Sequence, residues 1–391
     1  RARSTGDGYG AGHPSAHRAT AQPSGDKGPP ASRFDPCLHK HLTNLSLADR
    51  RAAATIAGFA GGHLTPPAPA PVHLMRKFLL LLGLAVLPLL ARAAASPLVT
   101  PAELQALLKT GEVRVVDVRE EQAYALQHVP GAVSAPYGDW RGPDENPGKV
   151  PPLAELTDLV QGLGLTPDLR TVIVYTGTDS TDFGSAARVY WTLKSLGAQN
   201  LAILNGGLAA WKRAGLPVAS QPGQAGRSAW QPRWDGRWTA TREQVRGDLG
   251  HGAVLVDSRP APFFQGRMKH GAARALGTLP GATNLDSDLF FEPGAAALMD
   301  RAALATEADA LPAQGHQPTV AFCNTGHWAA TDWFVLSEVL GRPGVQLYPG
   351  SMVDWTQSPE PLPMANEPTR WAQLRYQWMN WSHRNLGTQA P

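Results

Sequence analysis

Cysteine is nearly absent from this chain, because its 391 residues include only Cys37 and Cys323. Two cysteines are too few for a disulfide-stapled scaffold or for a zinc site built from several cysteine ligands. Charged residues are also sparse at 17%, and the formal net charge is +3. A chain so close to neutral lacks the basic excess of nucleic-acid-binding proteins, so we expect no nucleic-acid partner.

Long apolar runs are missing too, with one exception at residues 78–90. This run of 13 residues follows Met75, Arg76 and Lys77, and small residues of the A-x-A type follow it at 91–95. A basic start, an apolar middle and a small-residue end are the three parts of a secretory signal peptide, and 13 residues are fewer than the roughly 20 that span a membrane. We predict a signal peptide over 75–95, export to the periplasm and no stable membrane insertion after cleavage. A single uncleaved anchor is the alternative.

Apolar periodicity is absent from residues 1–74, and Met75 is the first methionine of the chain. We interpret 1–74 as a disordered segment or as translated upstream sequence. Removing residues 1–93 leaves 24 basic and 28 acidic residues and a single cysteine, Cys323. A lone thiol in an oxidising compartment is a liability unless it is buried or used.

The sequence after the signal begins with an α/β unit, predicted over 98–219. Thr100 and Glu103 form a capping box with proline at the first helical position. Continuous β-branched runs alternate with segments of helical period, which favours a mainly parallel sheet flanked by helices on both faces. The predicted strands are 113–119, 171–178 and 201–204, and the predicted helices include 185–196 and 208–215.

A second unit, predicted over 239–365, repeats the first in the same order. Thr241 and Gln244 form another capping box, and four sequence blocks echo those of the first unit about 140 residues earlier. That spacing is too long for a solenoid and indicates two homologous domains. The repeated blocks are VRVVDVR and AVLVDSR, HVPGAVSAP and GTLPGATNL, TVIVYTGT and PTVAFCNTG, and AILNGGLAAW and QLYPGSMVDW.

Tryptophans are concentrated in two segments outside these blocks. Residues 220–238 form a linker rich in Gly, Pro, Gln and Ser, whose Trp230, Trp234 and Trp238 we interpret as anchors onto the domains. A ligand stack is the alternative. The tail over 366–391 is predicted to form a helix that packs its apolar face on the second domain; that face comprises Trp371, Leu374, Trp378 and Trp381.

Cys323 directly follows the apolar strand 319–322. A tight loop over 324–328 and a predicted helix over 329–340 come next. A strand–loop–helix corner at the carboxyl edge of a parallel sheet directs backbone N–H groups into the turn, and both these groups and the helix N-terminus favour a thiolate. We predict that Cys323 is a nucleophile. The alternative is a small buried apolar side chain.

The ordered blocks and the cysteine loop resemble the tandem-domain rhodanese sulfurtransferases, a family that includes thiosulfate and 3-mercaptopyruvate sulfurtransferases. The resemblance covers about residues 98–363 and implies an inactive first domain and a catalytic second domain. Thr176 is the residue that we place opposite Cys323. The family implies that Cys323 takes a sulfane sulfur from the donor as a persulfide and passes it to a thiol or cyanide, without a cofactor or metal.

The resemblance also implies roles for further residues. The loop N–H groups would cradle the persulfide, and Arg259 would bind an anionic donor unless it pairs with Asp257 instead. The loop departs from the common sequences of both subfamilies and is closer to aromatic-containing loops of exported bacterial relatives, which leaves the donor open. Thr278 stands where the family usually has histidine, and His327 is open between acid–base and shape roles. The predicted loop residues are Asn324, Thr325, Gly326, His327 and Trp328, and the further donor-binding candidates are Arg267, Lys269 and Arg274.

Other classes of function fit the loop less well. A phosphatase of related fold needs arginine at the position held by Ala329, since only its guanidinium grips phosphate with two hydrogen bonds. Cys323 and His327 are two metal ligands at most, and a thiol oxidoreductase usually needs a second cysteine. A non-turnover carrier that delivers persulfide to a protein acceptor is the main alternative to an enzyme acting on small molecules.

Overall fold

The computed structural model describes residues 96–312 and 317–369, together with 371, 372, 374, 375, 378, 381 and 382. The predicted upstream segment and signal peptide lie outside the described residues. Within those residues, no helix is long and apolar enough to cross a membrane.

The first domain is a five-stranded sheet with the spatial order β1-β5-β4-β2-β3, and every neighbouring pair is parallel. Helices cover both faces, which confirms the predicted fold class. The elements are β1 (Leu98–Val99), α1 (Pro101–Thr110), β2 (Val113–Asp117), α2 (Glu121–Leu126), β3 (Val133–Ser134), a 3-10 turn (Tyr137–Trp140), α3 (Leu153–Gly162), β4 (Arg170–Val174), α4 (Ser180–Ser195), β5 (Leu201–Leu204) and α5 (Gly207–Arg213).

The second domain repeats this plan with four parallel strands in the order β7-β6-β8-β9. Thr239 adds a parallel bridge to Leu347 at the edge, where the first domain has β1. The elements are a 3-10 turn (Gly236–Trp238), α6 (Arg242–Asp248), β6 (Val254–Asp257), α7 (Ala261–Phe264), β7 (Thr283–Asn284), a 3-10 turn (Ser287–Phe290), α8 (Arg301–Ala308), β8 (Thr319–Phe322), α9 (Trp328–Trp333), a π-helical segment (Phe334–Val339), β9 (Val345–Leu347) and α10 (Ser351–Thr356).

Helix starts follow the predicted capping chemistry with one exception. Both capping boxes form, at Thr100 and at Thr241. The helix predicted over 185–196 begins earlier, at Ser180, because the Asp179 carboxylate accepts the backbone N–H of Asp182 and caps an additional turn. The helix predicted over 329–340 is also different, since it begins at Trp328, is α-helical only over Trp328–Trp333 and is π-helical over Phe334–Val339.

The two domains share one hydrophobic core, formed where α4 packs against α9 and the π-helical segment. The Phe183 ring meets the Phe334 ring edge-on at 5.5 Å. Tyr190 and Lys194 both donate hydrogen bonds to Glu338, at 2.9 and 2.7 Å. This packing places one face of α4 directly against the loop that follows β8.

The linker tryptophans act as anchors, as predicted. Trp230, Trp234 and Trp238 are partly buried and pack on the shared core. The indole N–H of Trp191 donates to the carbonyl of Trp238 at 2.9 Å, and the Trp191 ring meets Trp234 edge-on at 5.4 Å.

The apolar face of the tail is largely exposed where the structure describes it, and its packing on the second domain stays a prediction. Trp371, Leu374, Trp378 and Trp381 lie in helical backbone, but each of them is more than half exposed. Helical period identifies which side chains share a face, but not whether a partner surface exists for that face.

Candidate active site

Cys323 lies at the carboxyl end of β8, in the middle of the second sheet, with 1% of its surface exposed. Its equivalent in the first domain follows from the sheet register. Asp117 pairs with Val174 and Asp257 pairs with Phe322, so the residue after Val174 corresponds to Cys323. That residue is Tyr175, and the prediction of Thr176 was therefore wrong by one position.

The loop after Cys323 leaves its backbone N–H groups unused. None of the N–H groups of residues 324–328 donates a hydrogen bond to another described atom. Successive free N–H groups in one tight loop make a concave site for an anion. The predicted cradle at Asn324, Thr325, Gly326, His327 and Trp328 is consistent with this arrangement.

The carbonyl groups of the same loop are all engaged. The oxygens of Cys323 and Asn324 accept the N–H groups of Met352 and Val353 in α10, at 3.1 and 3.0 Å. The Thr325 oxygen accepts from Arg141 at 3.2 Å. Because these carbonyls are tied to other parts of the fold, their negative ends are not free to approach an anion held by the N–H groups.

Ser351 fixes the backbone of Cys323 itself. Its hydroxyl accepts the Cys323 N–H at 3.0 Å and donates to the Tyr348 carbonyl at 2.8 Å. Ser351 has a φ of 53°, a left-handed conformation that is uncommon outside glycine, and the equivalent residue of the first domain is Gly207 with a φ of 58°. A non-glycine residue is retained here in strained backbone, at the position where its hydroxyl reaches Cys323.

Gly326 is required by close approach as well as by conformation. Its φ is 68°, and a Cβ atom there would lie 2.4 Å from Nη1 of Arg188 and 2.5 Å from the Pro349 oxygen. Any side chain would therefore push the loop away from both neighbours.

His327 attaches the loop to the first domain. Its Nε2 lies 2.9 Å from the Thr181 carbonyl, so Nε2 must donate, and Nδ1 then accepts from the Tyr137 hydroxyl at 2.9 Å. Burial, reinforced by the nearby Arg141 charge, lowers the pKa of His327 to about 4. A neutral ring with both nitrogens engaged supports the shape role of His327 over acid–base catalysis.

Arg141 and Arg188 bring two cations of the first domain to this loop. Arg188 is fully buried and donates from Nη1 to the Gly326 carbonyl at 3.3 Å and from Nη2 to the Gly148 carbonyl at 2.8 Å. The Arg141 guanidinium lies over the Tyr137 ring at 4.9 Å. The domain predicted to be inactive therefore contributes to the surroundings of Cys323.

Arg259 forms the ion pair that was the alternative to donor binding. It is 1% exposed, and Nε and Nη2 grip the Asp257 carboxylate at 2.8 and 2.6 Å. Its Nη1 lies 3.4 Å from the Asn324 side-chain oxygen. Asp117 and Arg119 form the same pair in the first domain, where there is no cysteine. Arg259 therefore binds Asp257 at the end of β6 and contacts the cysteine loop through the Asn324 side chain.

The other predicted donor-binding residues lie on one segment of the second domain. Arg267 is exposed and contacts the Gln265 side chain, Lys269 donates to the Ala273 carbonyl, and Arg274 is exposed. Among the described residues, no hydrogen bond or ion pair joins these three side chains to the cysteine loop, and their role in binding the donor stays a prediction.

Two further residues border the loop. Thr278, at the position of the family histidine, donates to the Asp257 carboxylate at 2.6 Å and so serves the ion pair. The Trp328 ring meets the Phe263 ring edge-on at 5.8 Å. Among the described residues, no group of three or more His, Cys, Asp or Glu side chains could hold a metal ion.

Comparison with known proteins agrees with this architecture. The rhodanese-like domain model matches residues 100–214 and again 241–358. The chain belongs to the rhodanese-like family. It is a sulfurtransferase. Thiosulfate sulfurtransferase of Azotobacter vinelandii is 32% identical over 271 residues, which cover 68% of this chain and 97% of that protein.

Relatives and structural neighbours differ in their named substrates. A probable 3-mercaptopyruvate sulfurtransferase of Pseudomonas aeruginosa is 30% identical, covering 68% of this chain and 97% of its own. Among solved structures, a 3-mercaptopyruvate sulfurtransferase from Leishmania major covers 67% of this chain and 74% of its own, with a TM-score of 0.57 and 22% identity. The anaerobic ergothioneine biosynthesis enzyme from Chlorobium limicola covers 71% of this chain and 72% of its own, with a TM-score of 0.62 and 18% identity. At these identities, the two solved structures support the fold alone.

Sequence reasoning missed the residues supplied by the first domain and by α10. Ser351 carries no signal by itself, because its role depends on a φ that the sequence does not reveal. Arg188 does have a sequence signal, because it is the single charged residue in the run 183–193, where nearly every residue is buried. A lone charge on such a helix indicates a specific buried partner.

Proposed function

We propose that Cys323 takes a sulfane sulfur from a small anionic donor and passes it to a small thiol or to cyanide. The observation that carries this proposal is the loop in which no backbone N–H from residue 324 to 328 donates to another described atom while the carbonyls are engaged. Such a loop stabilises negative charge on sulfur before and after transfer.

The proposed cycle has two steps that balance. The Cys323 thiolate attacks the outer sulfur of thiosulfate, the S–S bond breaks, and sulfite leaves with the electron pair of that bond. Cyanide or an acceptor thiolate then attacks the outer persulfide sulfur, and the Cys323 thiolate is regenerated. With 3-mercaptopyruvate, the C–S bond breaks instead, and the enolate of pyruvate leaves and takes up a proton.

The burial of Cys323 favours small donors and acceptors over a protein acceptor. With 1% of the residue exposed, the sulfur is out of reach of a folded partner without rearrangement. This supports a turnover enzyme over the alternative, a carrier that delivers persulfide to a dedicated protein.

We propose thiosulfate and 3-mercaptopyruvate as the two donors to compare, because relatives named for each are about equally similar to this chain. We also propose export to the periplasm, which the signal-like sequence at 75–95 supports. A mature N-terminus between residues 91 and 97 in protein recovered from the exported fraction would support export, and an uncleaved chain would contradict it.

Steady-state turnover tests the proposed reaction. We expect thiocyanate from thiosulfate and cyanide, parallel double-reciprocal lines typical of a two-step cycle, and complete loss in Cys323→Ser. Pyruvate release from 3-mercaptopyruvate, measured at equal donor concentration, ranks the two donors. Turnover that persists in Cys323→Ser would contradict the role of Cys323, and no turnover with either donor would favour the carrier.

A further inference from the structure

The helical tail after the second domain exposes large apolar side chains. Trp371 is 83% exposed, Trp378 is 65% exposed and Leu374 is 55% exposed. The three lie in helical backbone at intervals of three and four residues, so they share one face of the tail. A soluble protein seldom leaves such side chains together at its surface unless they meet a partner.

The tail carries positive charge and no negative charge. Residues 368–391 include three arginines and no Asp or Glu. Arg375 is exposed and follows Trp371 by four residues, so it lies beside the apolar face. Tryptophan prefers the boundary between hydrocarbon and water, and arginine extends its charge from an apolar face toward water or phosphate. This combination is typical of a helix that lies flat at a membrane surface.

The tail leaves the second domain beside the segment 265–275. Asn366, at the start of the tail, donates a hydrogen bond from its side chain to the Phe264 carbonyl at 2.9 Å. Trp371 follows only five residues later, so the apolar face begins close to this segment.

The segment 265–275 is basic and exposed. It lies within a longer stretch, 260–285, that contains no acidic residue, and Met268 in its middle is 50% exposed. Among the described residues, no carboxylate forms an ion pair with its cations, so their charge is available to an anion. These cations are Arg267, Lys269 and Arg274, and all three are exposed.

The equivalent segment of the first domain lacks this charge. Leu126 on α2 is 79% exposed, but Glu120 and Glu121 precede it, and residues 120–140 contain no Lys or Arg. Of these two equivalent segments, only the one in the second domain combines exposed apolar surface with positive charge. The difference favours a partner that is both apolar and anionic.

A second copy of the chain is a weaker candidate for that partner. An aromatic side chain presents about 150–250 Å², so the exposed parts of Trp371, Leu374 and Trp378 amount to roughly 300–450 Å². A stable dimer buries about 800 Å² on each partner. A lipid surface needs no matching patch of that size, because it is continuous and also offers phosphate groups to the cations.

We propose that the tail and the segment 265–275 form a peripheral binding surface for anionic phospholipid. The tail lies flat in the interface, and Trp371, Leu374 and Trp378 enter the boundary between head groups and acyl chains. The cations of both parts contact lipid phosphates, and the contact is reversible and does not cross the bilayer. Since α7 directly precedes the segment and packs on the cysteine loop, the surface brings the active site close to the membrane. This inference does not depend on the proposed sulfur transfer.

Hydrogen–deuterium exchange of the full chain, followed peptide by peptide, tests this surface without measuring turnover. The protein is incubated with vesicles of phosphatidylcholine and phosphatidylglycerol in equal amounts, and separately with vesicles of phosphatidylcholine alone. We expect amides of the peptide 366–384 to exchange at least about fivefold more slowly on the anionic vesicles, with a smaller effect on the neutral ones. Binding of the apolar run 78–90 to the vesicles does not mimic this result, because it protects a different peptide.

Substitutions at exposed positions separate the apolar contribution from the charge. We expect the double variant Trp371→Ser, Trp378→Ser to lose the protection. Leu126→Ser is the matched control, because it removes an equally exposed apolar side chain from the other domain, and it should keep the protection. The double variant Arg267→Gln, Arg274→Gln should weaken protection about fivefold or more on anionic vesicles and leave the neutral ones unchanged.

The same experiment identifies the competing partners of the tail. Absence of protection by anionic vesicles, or equal protection in the double tryptophan variant, would overturn the proposal. Slow exchange of the tail before vesicles are added would overturn it in favour of packing on the second domain. Protection that grows with protein concentration and not with lipid would overturn it in favour of pairing between two copies of the chain.

Discussion

The ends of β4 and β8 are equivalent positions in two copies of one fold, and they hold a tyrosine and a cysteine. Tyr175 uses its hydroxyl to accept the Gly206 N–H at 2.9 Å and to donate to the Ala296 carbonyl. Among the described residues, Cys323 makes no such side-chain bond, and the N–H groups of the loop that follows it donate to no other described atom. One copy closes its loop with a large side chain, and the other keeps its loop available for an anion.

The loops differ in charge as well as in shape. After Tyr175, the N–H groups of Thr178 and Asp182 donate to the carboxylates of Asp182 and Asp179. After Cys323, the loop carbonyls of Thr325 and Gly326 accept hydrogen bonds from the first-domain cations Arg141 and Arg188. In this duplicated fold, one copy supplies the nucleophile, and the other supplies charged and packing groups around it.

The largest effect is expected where the first-domain residue is replaced by the second-domain one. Tyr175→Cys removes a buried ring that meets Phe183 edge-on at 5.4 Å, together with both hydroxyl bonds. We expect a loss of about 3–4 kcal/mol in the free energy of unfolding, as for other large-to-small core changes. Denaturant unfolding measures it.

The same variant asks whether a cysteine alone creates a site. In a Cys323→Ser background, we expect no sulfur uptake at position 175, because the Asp182 carboxylate already accepts the Thr178 N–H in that loop. Uptake comparable to that at Cys323 would show that the loop environment is not what distinguishes the two copies.

The reverse exchange, Ser351→Gly, gives the second domain the residue that the first has at Gly207. Glycine relieves the left-handed backbone but removes the hydroxyl that accepts the Cys323 N–H. We expect the turnover number to fall about 10- to 100-fold, in the range for loss of one hydrogen bond that organises an anion site. Ser351→Ala, which keeps the strain, should lose as much activity and more stability. Unchanged turnover in both variants would contradict the positioning role of Ser351.

Asp332 allows a stabilising substitution. This carboxyl on α9 is fully buried, and neither oxygen makes a hydrogen bond of good geometry, although Ser258 is near. Burial raises the pKa of Asp332, so the folded form holds a proton that the unfolded chain releases above about pH 4, and stability is lost as the pH rises. We expect Asp332→Asn to be more stable by about 2 kcal/mol at neutral pH, with the difference disappearing below about pH 4. Thermal melts across pH test this, and a constant difference would contradict it.

His327 gives an effect that develops only at acid pH. Its pKa falls from 6.5 to about 4 on folding, so only the unfolded chain binds the proton between these values. Unfolding free energy is therefore constant above about pH 6.5 and falls as the pH decreases toward 4, and we expect a loss of about 3 kcal/mol from this group. In His327→Gln that part of the slope should be missing. Parallel pH profiles for the two proteins would contradict the neutral, doubly bonded ring.

The sequence was sufficient to predict the duplication, the parallel sheets and the cysteine loop, because these depend on local pattern and order. It did not reveal that Tyr175 rather than Thr176 matches Cys323, since this depends on sheet register. The sequence leaves Arg259 open between binding the donor and pairing with Asp257, because it does not show which of the two the guanidinium reaches; the structure shows the pair. Arg141 and Arg188 were missed because they reach the loop only through the packing of the first domain against the second, which joins residues more than 130 positions apart.

The most direct test of the whole account is the mass of the protein after exposure to thiosulfate, and separately to 3-mercaptopyruvate. We predict a gain of one sulfur atom on the peptide containing Cys323, removable by cyanide and absent in Cys323→Ser. The donor that gives the adduct faster identifies the better substrate. A gain on any other peptide, or no gain with either donor, would contradict the central claim that Cys323 carries the transferred sulfur.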